Sequence, residues 1–373
     1  MLGNRIVLPM RAFREENPVM NRHDRYLDHR RFTVETLNAK PWNRRDFVKG
    51  LAAVAGSAGF FGPYAESAAA EPPPETTRIR LTAIPAICFA PQYVAEALLK
   101  AEGFTDVRYV KIEDTGVEKR LASGDLDITL GAVGPVVTRV DAGAPVVVLA
   151  GVHLGCYELF GTDRVRAIRD LKGKTVPVWE LGNHQHILLS SMAAYVGLDP
   201  RKDIHWIERT FAESMRLLAE GKVDAFMGFP PEPQELRAKK IGHVVVNTRT
   251  DKPWSQYYCC MLAGNREFVS KYPVATKRAL RAILKAADVC AQEPERAARL
   301  VVDRGFTSSY DYALQALKDV SFDAWRTYNP EDTVRFYALR LQEAGLIKSS
   351  PQKLITQGTD WRFLNELKKE LKA

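Results

Sequence analysis

Between residues 78 and 230 the apolar positions recur with two alternating periods. Residues 78–84 alternate apolar and polar side chains, the pattern of a strand. Pro91 opens a helix over 92–101, at a position where its missing N–H costs nothing, and Gly103 ends that helix. A strand over 107–112, a helix over 118–122 stopped by Gly124, and a strand over 126–130 complete the set. The same order then returns. Strand 175–178 precedes helix 186–196, ended by Gly197; strand 204–207 precedes helix 213–219, ended by Gly221; strand 223–227 follows. Strands alternating with helices predict parallel β-α-β units.

The two sets are copies of one unit. Asp106-Val-Arg-Tyr-Val matches Asp203-Ile-His-Trp-Ile, and Leu121-Ala-Ser-Gly-Asp-Leu-Asp matches Leu218-Ala-Glu-Gly-Lys-Val-Asp, both at an offset of 97 residues. A constant register over separate segments marks an internal repeat. The expected class is therefore α/β, with two lobes. Residues 145–150 read as a further strand, 151–160 cross to the second lobe and 254–262 carry the chain back. Helices over 274–290, 293–302, 310–318, 330–344 and 361–371 finish the first lobe and brace the hinge. Lobe one spans 71–160, lobe two 161–250, and 251–373 returns to lobe one.

Residues 1–70 are set apart from this pattern. Arg44 and Arg45, then Phe47 and Lys49, precede a soft apolar stretch over 50–64 and the small-residue run Ser67-Ala68-Ala69-Ala70. That is the pattern of a twin-arginine export signal, cleaved near Ala70. The stretch is too short and too rich in Gly and Ala to span a bilayer, which takes about 20 apolar residues. The expected location is periplasmic, reached through the twin-arginine translocase. Because 43 residues precede the arginine pair, Met10, Met20 and a genuine extension are alternative readings of the start. Cleavage leaves 303 residues, and the Pro-rich run 71–75 reads as a solvated leader.

Charge and cysteines narrow the function. Residues 1–70 carry 11 Lys/Arg and 7 Asp/Glu, so the exported part holds 42 against 38, a mild excess of four. No clustered basic stripe is present, which argues against nucleic acid. Cys88, Cys156, Cys259, Cys260 and Cys290 show no C-x-x-C spacing, so the sequence predicts neither zinc nor a thioredoxin-like site. The vicinal Cys259–Cys260 pair reads either as small residues in a buried strand or as a disulfide in an oxidising compartment.

Parallel sheets bind ligands beyond the carboxyl ends of their strands. Those ends are Phe89 and its loop, Gly131-Ala132-Val133 before a helix over 136–141, Asn183-His184-Gln185-His186, and Phe229. The crossovers add Tyr157, Glu158, Trp254 and Tyr257. The 183–186 loop leads into a helix whose free N–H groups favour a carbonyl or negative group; alternatively Asn183 simply caps the helix. The aromatics read as cavity walls or as core. A cleft-facing Glu158 would favour an amine or N–H donor over a bare anion. His184 and His186 point apart at two-residue spacing, so no metal site is predicted. Without G-x-G-x-x-G or a Walker lysine no nucleotide cofactor is expected, and no catalytic set is evident.

The chain resembles the solute-binding proteins of ABC importers that handle nitrate, aliphatic sulfonates, taurine and thiamine-pyrimidine precursors. The resemblance covers about residues 78–348. It rests on Phe89-Ala-Pro-Gln-Tyr-Val-Ala-Glu-Ala, Ile168-Arg-Asp-Leu-Lys-Gly-Lys-Thr-Val, Gly197-Leu-Asp-Pro, Phe268-Val-Ser-Lys-Tyr-Pro and the two repeated Leu-Ala-x-Gly runs. It implies a two-lobed type II periplasmic-binding fold, with mixed sheets flanked by helices around a central cleft that closes on a small solute. Partners would be permease and ATPase subunits. It places ligand groups near Phe89, after the Gly131 strand and at 183–186. The ligand expected is a small organic solute, sulfonate-like or nitrogen-containing. A pyrimidine-precursor synthase of the same family and a periplasmic ligand sensor are the alternatives. The cysteine-rich run of that synthase is not reproduced, since residues 254–262 carry Cys only at 259 and 260.

Overall fold

The computed structural model describes residues 71–112 and 116–372. The expected twin-arginine signal and cleavage site fall outside the described residues. Among the described residues ten strands form two sets of one plan, each a parallel pair beside a three-stranded sheet: β1 (Arg78–Ala83), β2 (Asp106–Lys111), β3 (Ile128–Ala132), β4 (Val146–Leu154), β5 (Glu158–Gly161), β6 (Lys174–Val178), β7 (Ile204–Glu208), β8 (Ala225–Gly228), β9 (His243–Asn247) and β10 (Tyr258–Asn265). In the first set β1 pairs with β2 in parallel, and in the sheet beside it β10 lies antiparallel between β3 and β4. In the second set β6 pairs with β7 in parallel, and in the sheet beside it β5 lies antiparallel between β8 and β9. Each three-stranded sheet thus takes one antiparallel strand that lies next to a crossover between the two sets.

The repeated motif explains how each set is closed. Gly124 (φ +80°) and Gly221 (φ +65°) turn the chain where other side chains are strained. Three residues later comes the same aspartate. Asp127 N–H donates to Arg80 O at 2.9 Å. Its carboxylate accepts the Arg80 N–H at 2.7 Å and the Arg80 guanidinium at 2.5 Å. Asp224 repeats this: its N–H donates to Thr175 O at 2.9 Å. Its carboxylate accepts the Thr175 N–H at 2.8 Å and the Arg164 guanidinium. One residue type joins the parallel pair to the rest of its set in both copies.

Helices cover both sets. The helix Pro273–Gln292 starts on a proline and buries a stripe of Ala, Leu and Ile, including Ala279, Leu280 and Ile283. Each such Leu or Ile contributes roughly 1.5–3 kcal/mol. Residues 71–75 are not a solvated leader. The Glu71 carboxylate lies 2.7 Å from Arg281, and Glu75 accepts the N–H groups of Val274 and Ala275 at 2.9 and 2.8 Å, capping that helix. Gly131 also departs from expectation: β3 runs on to Ala132, and the following helix, Val133–Asp141, begins three residues early. Helices Glu232–Lys239 and Pro351–Gly358 and strand β9 are additions to the predicted set. No described helix is long and apolar enough to cross a membrane.

The two crossovers touch. Tyr157 N–H donates to Thr248 Oγ1 at 3.0 Å, and Thr248 N–H donates to Tyr157 O at 3.0 Å. Gly155 lies against the Thr248 backbone with no room for a side chain.

Candidate functional site

A cavity of about 620 Å³ opens at the carboxyl ends of the parallel strands. From the first set come the loop after β1 (Ile84–Phe89), Ile112 after β2, and Ala132. From the second come Trp179 after β6, His184, Phe211 and Phe229. Phe306 closes one side. This is the place where an α/β sheet leaves unpaired backbone ends and room for a ligand. Ile87 N–H donates to Pro230 O at 3.2 Å, a direct bond between the two sets' loops. A depression of similar size at the opposite edge of the first set is lined by Arg78, Arg80, Asp106 and Asp127, whose charges pair with one another. The apolar cavity, with aromatic walls and a few polar groups, is the better candidate for a small solute.

One wall is aromatic. Phe229 stands edge-on to Phe211 at 5.3 Å and to His184 at 4.9 Å, and Phe211 meets Trp179 at 5.1 Å. Tyr157 Oη lies 2.8 Å from His184 Nδ1. Burial holds His184 down to about 4, so the imidazole is neutral at pH 7. A neutral ring that accepts the tyrosine proton at Nδ1 keeps its other N–H as a donor.

Two carboxyl groups break the apolar lining. Glu232, 8% exposed, has Oε2 without a partner. Burial pushes its carboxyl up to about 8. Glu118 is half-buried, and loss of bulk solvent raises it to about 7. The cations at the rim do not neutralise them. Arg304 holds Glu96 at 2.6 Å and donates to Tyr93 O, and Lys111 is exposed. Glu232 therefore carries acceptor and proton-donor capacity that the described residues leave unused.

Of the residues singled out from sequence, the cavity brings together Phe89, Ala132, Tyr157, His184 and Phe229. Val133 lines a small adjoining space of about 10 Å³ with Cys259 and Tyr337. The others point elsewhere. Gly131 is inside β3. Asn183 caps the His184–Tyr195 helix, accepting His186 N–H at 2.9 Å. Gln185 donates to Met227 O. His186 accepts Gly182 N–H and packs on Trp206. Glu158 is buried in β5 against Arg237, which also holds Asp319 at 3.0 Å. Trp254 packs edge-on to Tyr195 and Phe336, and Tyr257 stacks on Phe336 at 3.8 Å.

Glu118, Glu232, Trp179, Phe211 and Phe306 were not anticipated. Glu232 sits in Pro230-Pro231-Glu232-Pro233, which reads as a plain turn. The same signal that flagged Phe229, its place after strand β8, reaches Glu232 three residues on.

A second feature lies under the cavity. Cys88, His153 and Cys156 place their donor atoms within 4.8 Å of one another, all buried. Cys156 Sγ is 3.3 Å from Cys259 Sγ, which is 3.9 Å from Cys260 Sγ. Four of the five cysteines, distant in sequence, converge on one histidine.

The comparisons agree with this architecture. The bicarbonate-binding protein CmpA of Synechococcus elongatus is 30% identical over 112 residues, 30% of this chain and 24% of CmpA. The match thus spans about a quarter of that relative's length. The nitrate-binding protein NrtA of Synechocystis PCC 6803 superposes with a TM-score of 0.66 at 17% identity, over 80% of this chain and 90% of its own. The alkanesulfonate-binding protein SsuA of Xanthomonas axonopodis pv. citri, bound to MOPS, gives 0.60 at 16% identity, over 74% and 96%. These likenesses establish the two-lobed periplasmic-binding fold. The model of the family described as NMT1/THI5 like matches residues 87–297, more than half of the chain, and the protein belongs to that family.

Proposed function

We propose that the protein is the exported solute-binding component of an ABC importer, capturing a small nitrogen-containing organic solute and delivering it to a membrane permease with its ATPase. The observation that carries this reading is the apolar cavity between the two sets of strands with the carboxyl groups of Glu118 and Glu232 on its lining. A buried carboxyl without a partner is stabilised by an ammonium, amidine or ring N–H and destabilised by a bare anion. The ligands in the relatives' names, bicarbonate and nitrate, are anions, and these two side chains argue for a different choice here. The aromatic wall of Phe229, Phe211 and Trp179 suits a flat apolar body. Lobes over 71–160 and 161–250, with 251–373 returning to the first, give a hinge at the Gly155–Tyr157 and Thr248–Tyr257 crossovers.

Native mass spectrometry of the exported protein, purified without unfolding, tests the binding role. One bound compound that leaves intact and carries a basic nitrogen supports the reading. A sulfonate or inorganic anion would overturn the ligand class, and turnover of the compound would overturn the binding role. The location rests on Arg44 and Arg45. Changing both to Lys is expected to leave the precursor in the cytoplasm, and the fractionation of host cells reads this out; continued export would reject the twin-arginine route.

A further inference from the structure

We infer that Cys88, His153 and Cys156, with Cys259 as the nearest fourth donor, form a buried site for one thiophilic d10 cation, Zn²⁺ or Cu⁺. The histidine supplies the observation that separates this from ordinary cysteine packing. His153 is fully buried, and its Nδ1 lies 2.7 Å from Leu154 O. A carbonyl can only accept, so Nδ1 carries the proton and Nε2 presents a lone pair. That Nε2 has no hydrogen-bond partner. A backbone carbonyl that fixes the tautomer of a ligating imidazole is the usual outer shell of such a site.

The fold assembles the donors from three segments. β10 pairs with β4 so that Cys260 lies opposite His153, and the register slips on both sides of Cys260. Such irregularities re-aim side chains, and here they leave Cys259 and Cys260 with their sulfurs 3.9 Å apart. Cys156 follows β4 into the crossover, and Cys88 comes from the loop after β1. Donor atoms within 4.8 Å of one another need only a modest contraction for a tetrahedral ion with bonds of about 2.0–2.3 Å. Charge favours Zn²⁺: the thiolates of Cys88 and Cys156 with a neutral imidazole give a neutral cluster, which a buried site tolerates, whereas Cys259 joining as a third thiolate would leave one negative charge. Binding would release the thiol protons of Cys88 and Cys156 to solvent, and that of Cys259 as well where it completes the tetrahedron. Cys88 also lines the solute cavity, so the ion would fix the loop carrying Phe89.

The test uses the exported protein, stripped with a chelator under reducing conditions and then given Zn²⁺ alone or Cu⁺ alone. One equivalent retained through desalting by either ion, with protection of the cluster thiols from alkylation, is the expected result; which ion binds tighter identifies it. Cobalt(II) should give an intense thiolate charge-transfer band with wild-type protein, a readout that needs no variant. Cys156→Ser and His153→Ala should lose the equivalent, whereas Cys290→Ser, buried away from the cluster, should keep it. Failure to take up any of the three ions would overturn the inference. So would a Cys156–Cys259 disulfide in the protein as exported, seen as the mass loss of two hydrogens before reduction.

Discussion

Replacing Glu232 by Gln is expected to stabilise the empty protein at pH 8 while weakening its hold on a cationic solute at least tenfold. The two effects have one cause. In the unfolded chain this carboxyl ionises near pH 4.3. In the folded protein burial keeps its proton until about pH 8. Over that window the folded state binds more protons than the unfolded state, so stability falls as pH rises from about 4.5 to about 8. Below the window the cost vanishes, and above it the cost is constant. The full difference amounts to about 5 kcal/mol for this one group, taken at 1.36 kcal/mol per unit. Glu118, raised to about 7, adds to the same slope with a smaller share. Gln has no proton to lose, so thermal denaturation of the empty variant should vary less between pH 5 and pH 8 than wild type. A variant as pH-sensitive as wild type would place the slope elsewhere.

Binding runs the other way. A cation beside Glu232 favours the ionised carboxylate, so binding expels its proton and affinity rises with pH toward 8. An oxyanion would show the reverse slope. Benzamidinium and benzenesulfonate, flat ions of similar size and opposite charge, separate the two cases by thermal shift or calorimetry. Wild type should respond to the cation and ignore the anion, and Glu232→Gln should lose most of the cation response. Preference for the sulfonate would reverse the ligand class proposed above.

The sequence made the skeleton of this protein readable because local rules and the repeat agree. Gly124 and Gly221 stop helices where only glycine turns freely, and the aspartates that follow repeat at the same offset. Four of the five cavity residues it singled out follow a strand end, where chain order alone places a side chain near the cleft. What it missed depends on long-range packing. Glu158 follows a crossover, but Arg237, 79 residues away, takes its charge and turns it from the cavity. Trp254 and Tyr257 are aromatic and follow the second crossover, yet Phe336 of a distant helix claims both. Cys88 lies 65 residues before the segment that carries His153 and Cys156, so two segments must fold before the three meet.

Gly155→Ala is expected to cost about 3 kcal/mol of stability, near the top of the usual range for an overpacked interior. The position is not special in its backbone conformation, since its φ is not among the positive ones. It is special in its neighbour. A Cβ there would fall far inside contact distance of the Thr248 carbonyl and hydroxyl. Backbone cannot swing aside as a side-chain tip can, so the two crossovers would have to separate. That separation would stretch the bonds between Tyr157 and Thr248, now 2.9–3.0 Å. It would also draw Tyr157 from His184, 2.8 Å away, and so disturb the cavity wall. Gly173→Ala is the control. Gly173 has φ +70° and nothing within 4 Å of an added Cβ, so its cost is conformational, about 1–2 kcal/mol. Urea denaturation should rank Gly155→Ala as the more damaging, and only that variant should lose affinity for the solute. Equal losses of stability, with affinity intact in both, would show that the crossovers are not mechanically tied to the cavity.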